Sequence, residues 1–315
     1  MDLTLAICTY RRPELLQAAL ASLAACARPQ GLAWELVVVD NAAESAVADI
    51  VQDGTRRFPQ VRYVAEPVLG TSHARNRAVA EARGPVVLFT DDDVRFDPQW
   101  LVAMARAIQG HPECTFWGGR VEPLWPEGVT APVWFDPAQC PLLGDTIVQY
   151  RCGTTPRSWS PQTDLPFFTA NLALRVDAVK QAGGFDPSVG HRGAVRMGME
   201  DSLLVEALAG AGGLGWYAAD AVVYHPVPAE RLTKVYARQF VRRQAWMSIA
   251  FLLRRGKLQR PPRWLYRAAA QGMLGGAVRW VGGAVTLNPA QRFAGELHLR
   301  YNAARLYEAA RWHRP

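Results

Sequence analysis

The first 110 residues alternate short runs of β-branched and aliphatic residues with stretches whose apolar positions recur at helical spacing. That alternation confines the chain to βαβ units around a parallel sheet. Leu3–Thr9, Trp34–Asp40, Val61–Ala65 and residues 85–90 read as strands. Residues 13–27 carry Leu15, Leu16, Ala19, Leu20 and Leu23 at the spacing of a buried helical face, with Pro13 in the first turn, where its missing N–H is tolerated. Residues 46–58, 71–82 and 98–108 are the helices expected to follow. From 114 to 169 the periodicity gives way to prolines and tryptophans, which predicts short strands and long loops. Trp117, Trp125, Trp134 and Trp159 fall here and are read as core residues. Regular structure is expected again at 167–174, 176–182, 200–211 and 215–225. The remainder reads as helical, basic and broken at Pro261-Pro262 and Pro289.

Half of the 315 residues are hydrophobic, enough for a large buried core. The net charge of +7 conceals an asymmetry. Residues 1–230 hold 18 Lys and Arg against 26 Asp and Glu, a net of −8, whereas residues 231–315 hold 17 against 2, a net of +15. Two regions with different partners are implied, and the boundary is placed at 229/230. The five cysteines are scattered without a C-x-x-C pair, as in a protein of a reducing compartment. Met1 leads into the strand-like Leu3–Thr9 without the charged and apolar regions of a signal peptide, so a cytoplasmic location is expected, peripheral at the inner face of the membrane if the basic region binds lipid.

Acidic residues stand where the strands end: Asp40 closes the second, and Asp91, Asp92 and Asp93 follow 85–90. In open α/β sheets the ligand crevice lies beyond those ends. Three adjacent carboxylates repel one another unless a cation sits among them, and hard oxygen donors suit Mg²⁺ or Mn²⁺. A solvated turn of helix-capping aspartates is the competing reading.

Six segments occur in a fixed order: Cys8-Thr9-Tyr10-Arg11-Arg12, Val37-Val38-Val39-Asp40-Asn41, Gly70 with Ala74-Arg75-Asn76, the aspartate triplet, Gly183-Gly184-Phe185-Asp186, and Met199-Glu200-Asp201. Together they make residues 3–225 resemble the family 2 inverting glycosyltransferases of the GT-A fold. The resemblance implies a mostly parallel central sheet flanked by helices, with residues 230–315 as a helical C-terminal extension. It implies that Thr9, Arg11 and Asp40 hold the nucleoside, Asp40 by accepting from a uracil imide, and that Arg75 meets the pyrophosphate. Asn76 is read as a support of its turn. The triplet resembles the family's Asp-x-Asp motif, with Asp91 toward the ribose and Asp93 on the metal; the register in which Asp92 takes the metal stays open. His225 at a strand end would complete a Mn²⁺ or Mg²⁺ site. Asp201 is the implied general base and Glu200 its neighbour and alternative. The implied partners are a nucleotide-sugar donor, UDP-linked in the first instance, and a hydroxyl acceptor on a glycan, a lipid-linked sugar or a small metabolite.

The basic region interleaves Arg, Trp and Leu. Its longest apolar stretch, 268–287, contains Arg279 and five glycines, so an amphipathic surface on anionic lipid is expected rather than a membrane span. A helical cap on the core is the alternative, and nucleic acid is not expected as a partner. Two other activities fit less of the sequence. A sugar-phosphate nucleotidylyltransferase would carry a glycine-rich loop after the first strand, where residues 8–12 have no glycine. A non-catalytic membrane-surface adaptor would have no use for intact acidic motifs.

Overall fold

The computed structural model describes residues 1–54, 56–58, 60–191, 198–255 and 260–311; the side chains of the basic pair Arg254-Arg255 lie outside the described residues. In chain order the elements are β1 (Leu3–Thr9), α1 (Pro13–Ala24), β2 (Trp34–Asp40), α2 (Ser45–Gly54), β3 (Val61–Ala65), α3 (Thr71–Glu81), β4 (Val86–Asp91), β5 (Arg95–Phe96), α4 (Trp100–Gly110), β6 (Phe116–Leu124), α5 (Pro141–Thr146), β7 (Arg157–Trp159), β8 (Asn171–Arg175), α6 (Val176–Gln181), α7 (Glu200–Gly210), β9 (Gly215–Pro226), α8 (Lys234–Arg255), α9 (Arg263–Val285) and α10 (Pro289–Arg311). The strands form one mixed sheet in the order β3-β2-β1-β4-β8-β6-β9-β5, with β7 beside β9.

Among the described pairings, the parallel ones join β1 to β2 and β4 and join β2 to β3. Those strands read as unbroken apolar runs because both faces are covered: Leu3, Leu5, Ile7, Leu36, Val37, Val38, Val87 and Leu88 are completely buried. Their register sets Thr9 beside Asp40 and Cys8 beside Asp91, so the polar residues that close the strands share one edge of the sheet. Beyond β4 the described pairings turn antiparallel. Thr90 pairs with Asn171 and Gly118 with Leu172, while Arg95 and Phe96 pair with Tyr224 and Val223. The two-residue β5 is too short to leave a periodic signal, yet it ties the segment after the triplet to β9 and brings His225 to Asp93. The segment expected to hold short strands and long loops contains the nine-residue β6, whose Phe116 and Trp117 are fully buried.

Two compact units are present: Met1–Glu122 with Tyr150–Pro226, and Pro123–Gln149 with Val227–Pro315. The first holds the sheet. The second therefore takes in Pro123–Gln149, which the single boundary read from charge leaves with the N-terminal part. Charge does not mark that segment; its apolar residues do. Trp134, Phe135, Cys140, Leu143 and Ile147 form one buried cluster with Leu232, Ala237, Val241, Phe293 and Leu297 from the C-terminal helices. Among the described residues no helix is long and apolar enough to cross a membrane.

Candidate active site

The site is built on the shared edge of β1, β2 and β4. Thr9 ends β1 and its Oγ1 donates to Asp92 Oδ2 at 2.7 Å. Asp40 ends β2, is completely buried, and accepts from the backbone N–H of Ala42 (2.9 Å) on Oδ1 and from Glu44 N–H (2.7 Å) and the Tyr63 hydroxyl (3.2 Å) on Oδ2. It thereby shapes the entry to α2. Asn41, next in line, donates to the carbonyls of Glu66 and Val68 and accepts from Gly70 N–H at 2.8 Å, which fixes the loop that opens α3.

Arg75 on α3 is buried. Its Nη1 donates to Glu200 Oε1, its Nη2 lies 3.9 Å from Asp91 Oδ1, and the guanidinium sits 5.7 Å from the centre of the Phe185 ring. Phe185 is held by Asn76, whose side-chain amide bonds both the N–H and the C=O of Phe185 at 2.8 Å, so Asn76 supports a distant turn rather than its own. Gly184 (φ +79°) passes so close that a Cβ there would lie 2.6 Å from Asn76 Oδ1; glycine meets both demands.

Arg11 and Arg12 part company. Arg11 adopts a left-handed φ of +55°, is exposed, and reaches Glu44 only at 4.0 Å. Arg12 turns to the triplet, its Nη1 lying 3.4 Å from Asp92 Oδ1 and 3.3 Å from Asp93 Oδ2. The sequence reading singled out Arg11 for the site. The adjacent Arg-Arg pair is the only sequence signal for Arg12, and it does not say which member faces inward.

The three aspartates are not equivalent. Burial, followed by the charge of Asp93, pushes the Asp92 carboxyl up to about 7 against the pull of Thr9 and Arg12. Burial also pushes Asp91 up, with Arg75 opposing and Asp93 adding to the rise. Asp93 Oδ1 is buried with no hydrogen-bond partner among the described residues, and 3.5 Å away stands His225 Nε2. His225 is itself buried, and its Nδ1 lies 3.0 Å from the Pro226 carbonyl. That carbonyl can only accept, so Nδ1 carries a proton, and Nε2 is the ring atom turned toward Asp93. A buried carboxylate oxygen without a hydrogen-bond partner among the described residues, facing a ring nitrogen at 3.5 Å, is a geometry that a shared cation satisfies. Asp91, Asp93 and His225 each place one ligand atom within 4.8 Å of the others, and two carboxylates with an imidazole suit Mn²⁺ or Mg²⁺.

On the far side of Arg75, α7 opens with Glu200 and Asp201. Met199, just before them, is buried at a φ of +95°, a conformation a non-glycine residue holds only when its surroundings impose it. Glu200 is buried, with Oε1 on Arg75 and Oε2 without a partner among the described residues. Asp201 is less buried, accepting from the N–H of Ser202 (2.8 Å) and of Thr169 (3.3 Å). Its carboxyl is pushed up by burial and then by the Glu200 charge, with Arg75 opposing.

The sequence profile described as Glycosyl transferase family 2 matches residues 4–181, more than half of the chain. The chain belongs to glycosyl transferase family 2. This family 2 transferase is 29% identical over 237 residues to the succinoglycan biosynthesis protein ExoM of Rhizobium meliloti, covering 73% of this chain and 69% of ExoM. To glycosyltransferase AglE of Haloferax volcanii it is 25% identical over 269 residues, 81% of each chain. Among solved structures it resembles the mannosyltransferase PcManGT from Pyrobaculum calidifontis, in complex with GDP-Man and Mn²⁺, with a TM-score of 0.56 and 18% identity over 98% of this chain and 75% of that one. It also resembles S. aureus TarS 1-349 in complex with UDP-GlcNAc, with a TM-score of 0.54 and 16% identity over 97% and 91% of the two chains. Those likenesses establish the GT-A fold, and the family match sets the nucleotidylyltransferase reading aside.

Proposed function

We propose that this transferase moves a sugar from a nucleotide diphosphate, UDP in the first instance, onto a hydroxyl group in one displacement that inverts the anomeric carbon. The observation that carries the reading is the division of the acidic groups into two centres by the buried Arg75. Asp91, Asp93 and His225 face one another on one side, and Glu200 with Asp201 opens α7 on the other.

Asp91, Asp93 and His225 are the residues that would hold a divalent ion; Asp92, the alternative to Asp93, already accepts from the Thr9 hydroxyl. When bound, Mn²⁺ or Mg²⁺ supplies a counter-charge for the diphosphate and for the negative charge that develops on it as the glycosidic C–O bond breaks. Thr9, Arg11, Asp40, Arg75, Asp91 and Asp92 are assigned to the donor. Asp40 uses three of its roughly four lone-pair sites, two on its own turn and one on the Tyr63 hydroxyl of β3, so one site, on Oδ1, is left for a uracil imide. Arg12 joins this group as a second guanidinium within reach of phosphate. Asp201 takes the proton of the acceptor hydroxyl as its oxygen bonds to the anomeric carbon, and the nucleoside diphosphate leaves. The raised affinity of Asp201 for protons suits that step. Glu200 holds Arg75 in place and contributes to the rise at Asp201. ExoM's designation as a succinoglycan biosynthesis protein favours a glycan or lipid-linked sugar over a small metabolite as acceptor.

A thermal-shift panel of UDP-, GDP- and dTDP-sugars with and without Mn²⁺ tests the proposal. A donor present at about 100 times its Kd stabilises the native state by about 2.7 kcal/mol. The expected result is a shift with UDP-sugar that requires Mn²⁺; no shift with any nucleotide sugar in either condition overturns the reading.

A further inference from the structure

The second unit carries a cavity of about 650 Å³ formed by α8, the end of α9, the turn that follows it and the start of α10. Two features make its base. A Cβ on Gly283 would collide with the backbone of Arg292, so α9 and α10 meet there backbone to backbone. Phe293, buried in the apolar cluster of this unit, lines the cavity from within. Trp280 adds an aromatic wall, and four charged side chains share the lining: Lys234, Arg238 and Arg292 against Glu296.

Those four groups are not equally committed. Arg238 grips Glu296 twice, Nε to Oε1 at 2.7 Å and Nη2 to Oε2 at 3.0 Å, and Arg300 Nε donates to the same Oε1 at 2.6 Å. Arg238 thereby holds the Glu296 carboxyl below the ordinary range, so it stays ionised at neutral pH. Three of its roughly four lone-pair sites are taken, and the one left is on Oε2. Lys234 and Arg292 have no hydrogen bond and no acidic partner among the described residues. Lys234 Nζ lies 5.3 Å from the centre of Phe293 and 5.9 Å from that of Trp134, and the Arg292 guanidinium lies 5.4 Å from that of Trp280. A cation above a ring is held in place while its N–H donors stay unspent.

This inventory selects a ligand. Three cations against one carboxylate leave an excess of positive charge that a phosphate monoester, at about −1.5 to −2 near neutral pH, complements. A hydrocarbon would lie against charged groups that it cannot solvate. The free acceptor site on Glu296 suits a hydroxyl, and Trp280 offers an apolar wall to the C–H face of a sugar ring. The volume is that of a small-molecule site.

We propose that this cavity is a second ligand site, taking a phosphorylated sugar whose phosphate meets Lys234 and Arg292 and whose hydroxyls meet Glu296. None of these residues belongs to the unit that holds the sheet, and the inference does not rest on the transfer reaction. A free sugar phosphate and the phosphorylated end of a glycan present the same chemistry.

Calorimetric titration of the full chain in EDTA tests it, with mannose 6-phosphate, pentamannose 6-phosphate, inorganic phosphate and mannose as separate titrants. Both mannose phosphates are expected to bind, more tightly than inorganic phosphate or mannose and less tightly as salt rises. Lys234→Gln with Arg292→Gln should weaken them by about tenfold or more, since each lost contact is a hydrogen bond to a charged group. Both positions are exposed, so the Tm of this variant should stay within a few degrees of wild type. Trp280→Ala is an independent check: it should weaken mannose 6-phosphate while leaving inorganic phosphate unchanged. Tighter binding of pentamannose 6-phosphate than of mannose 6-phosphate assigns the site to a glycan end, and equal binding assigns it to a free sugar phosphate. No binding of either up to about 10 mM, or equal binding by wild type and the Lys234→Gln, Arg292→Gln variant, overturns the proposal. Equal affinity for inorganic phosphate and mannose 6-phosphate overturns its sugar specificity.

Discussion

At the scale of single residues, the two acidic centres should fail differently. Asp93→Asn removes the carboxylate charge that faces His225 at 3.5 Å, so Mn²⁺ affinity, read by electron paramagnetic resonance of the free ion, should fall together with turnover. Asp201→Asn preserves shape but cannot take a proton, so donor affinity by calorimetry should persist while kcat falls by roughly 10² to 10⁴. Turnover after Asp201→Asn near the wild-type level would move the base to Glu200. Because burial and the Glu200 charge raise the Asp201 pKa, the wild-type rate should decline on acidification at a pH above the ordinary aspartate range. Asp40 offers a separate test. Its carboxylate satisfies two backbone N–H groups and the Tyr63 hydroxyl with no exposure to solvent, so Asp40→Ala should cost on the order of 2 to 4 kcal/mol in urea unfolding. A loss of nucleotide affinity with unchanged stability would instead make Asp40 purely a reader of the base.

At the scale of elements, α9 and α10 form a pair whose spacing is set by glycine. Gly283→Ala forces a Cβ against the Arg292 backbone and should destabilise by about 1 to 3 kcal/mol. Gly275→Ala in the same helix meets nothing within 4 Å and should stabilise by about 0.4 to 1 kcal/mol, since alanine loses less backbone freedom on folding. Paired thermal melts decide, and equal effects would refute the close approach. The α5–α8 contact supplies a pH-dependent term. Burial pushes Asp145 up to about 6, with the Gln244 amide 3.4 Å away opposing the rise. Between the unfolded value near 4 and about 6 the native state binds more protons than the unfolded one, so this residue's contribution to stability falls as pH rises through that window. Asp145→Asn should therefore match wild type in Tm near pH 4 and exceed it at pH 7.5.

At the scale of the molecule, the assignment of Pro123–Gln149 to the second unit governs how the chain tolerates truncation. Ending it at residue 229 would leave Trp134, Phe135, Leu143 and Ile147 without Leu232, Val241, Phe293 and Leu297, which share their cluster. The expected outcome is an aggregation-prone protein that binds a hydrophobic dye, whereas a soluble monomer with a wild-type melting profile would show the cluster to be dispensable. What the sequence by itself determined was local. The apolar runs of β1, β2 and β4 and the acids that close them were legible because strand periodicity and strand ends are properties of neighbouring residues. The charge contrast about residue 230 was legible for the same reason. Tertiary structure alone decided which of those residues meet. The β5–β9 pairing, two residues long, brings His225 to Asp93 across 132 positions of sequence. The left-handed turn at Arg11 accompanies the pairing of Arg12, not Arg11, with the triplet. The glycines of 268–287, read only as an argument against a membrane span, include Gly276 and Gly283, whose close contacts let α9 lie against α10 with its valines outward. Each depends on a partner far away in the chain, and a pattern read along one segment carries no record of what packs against it.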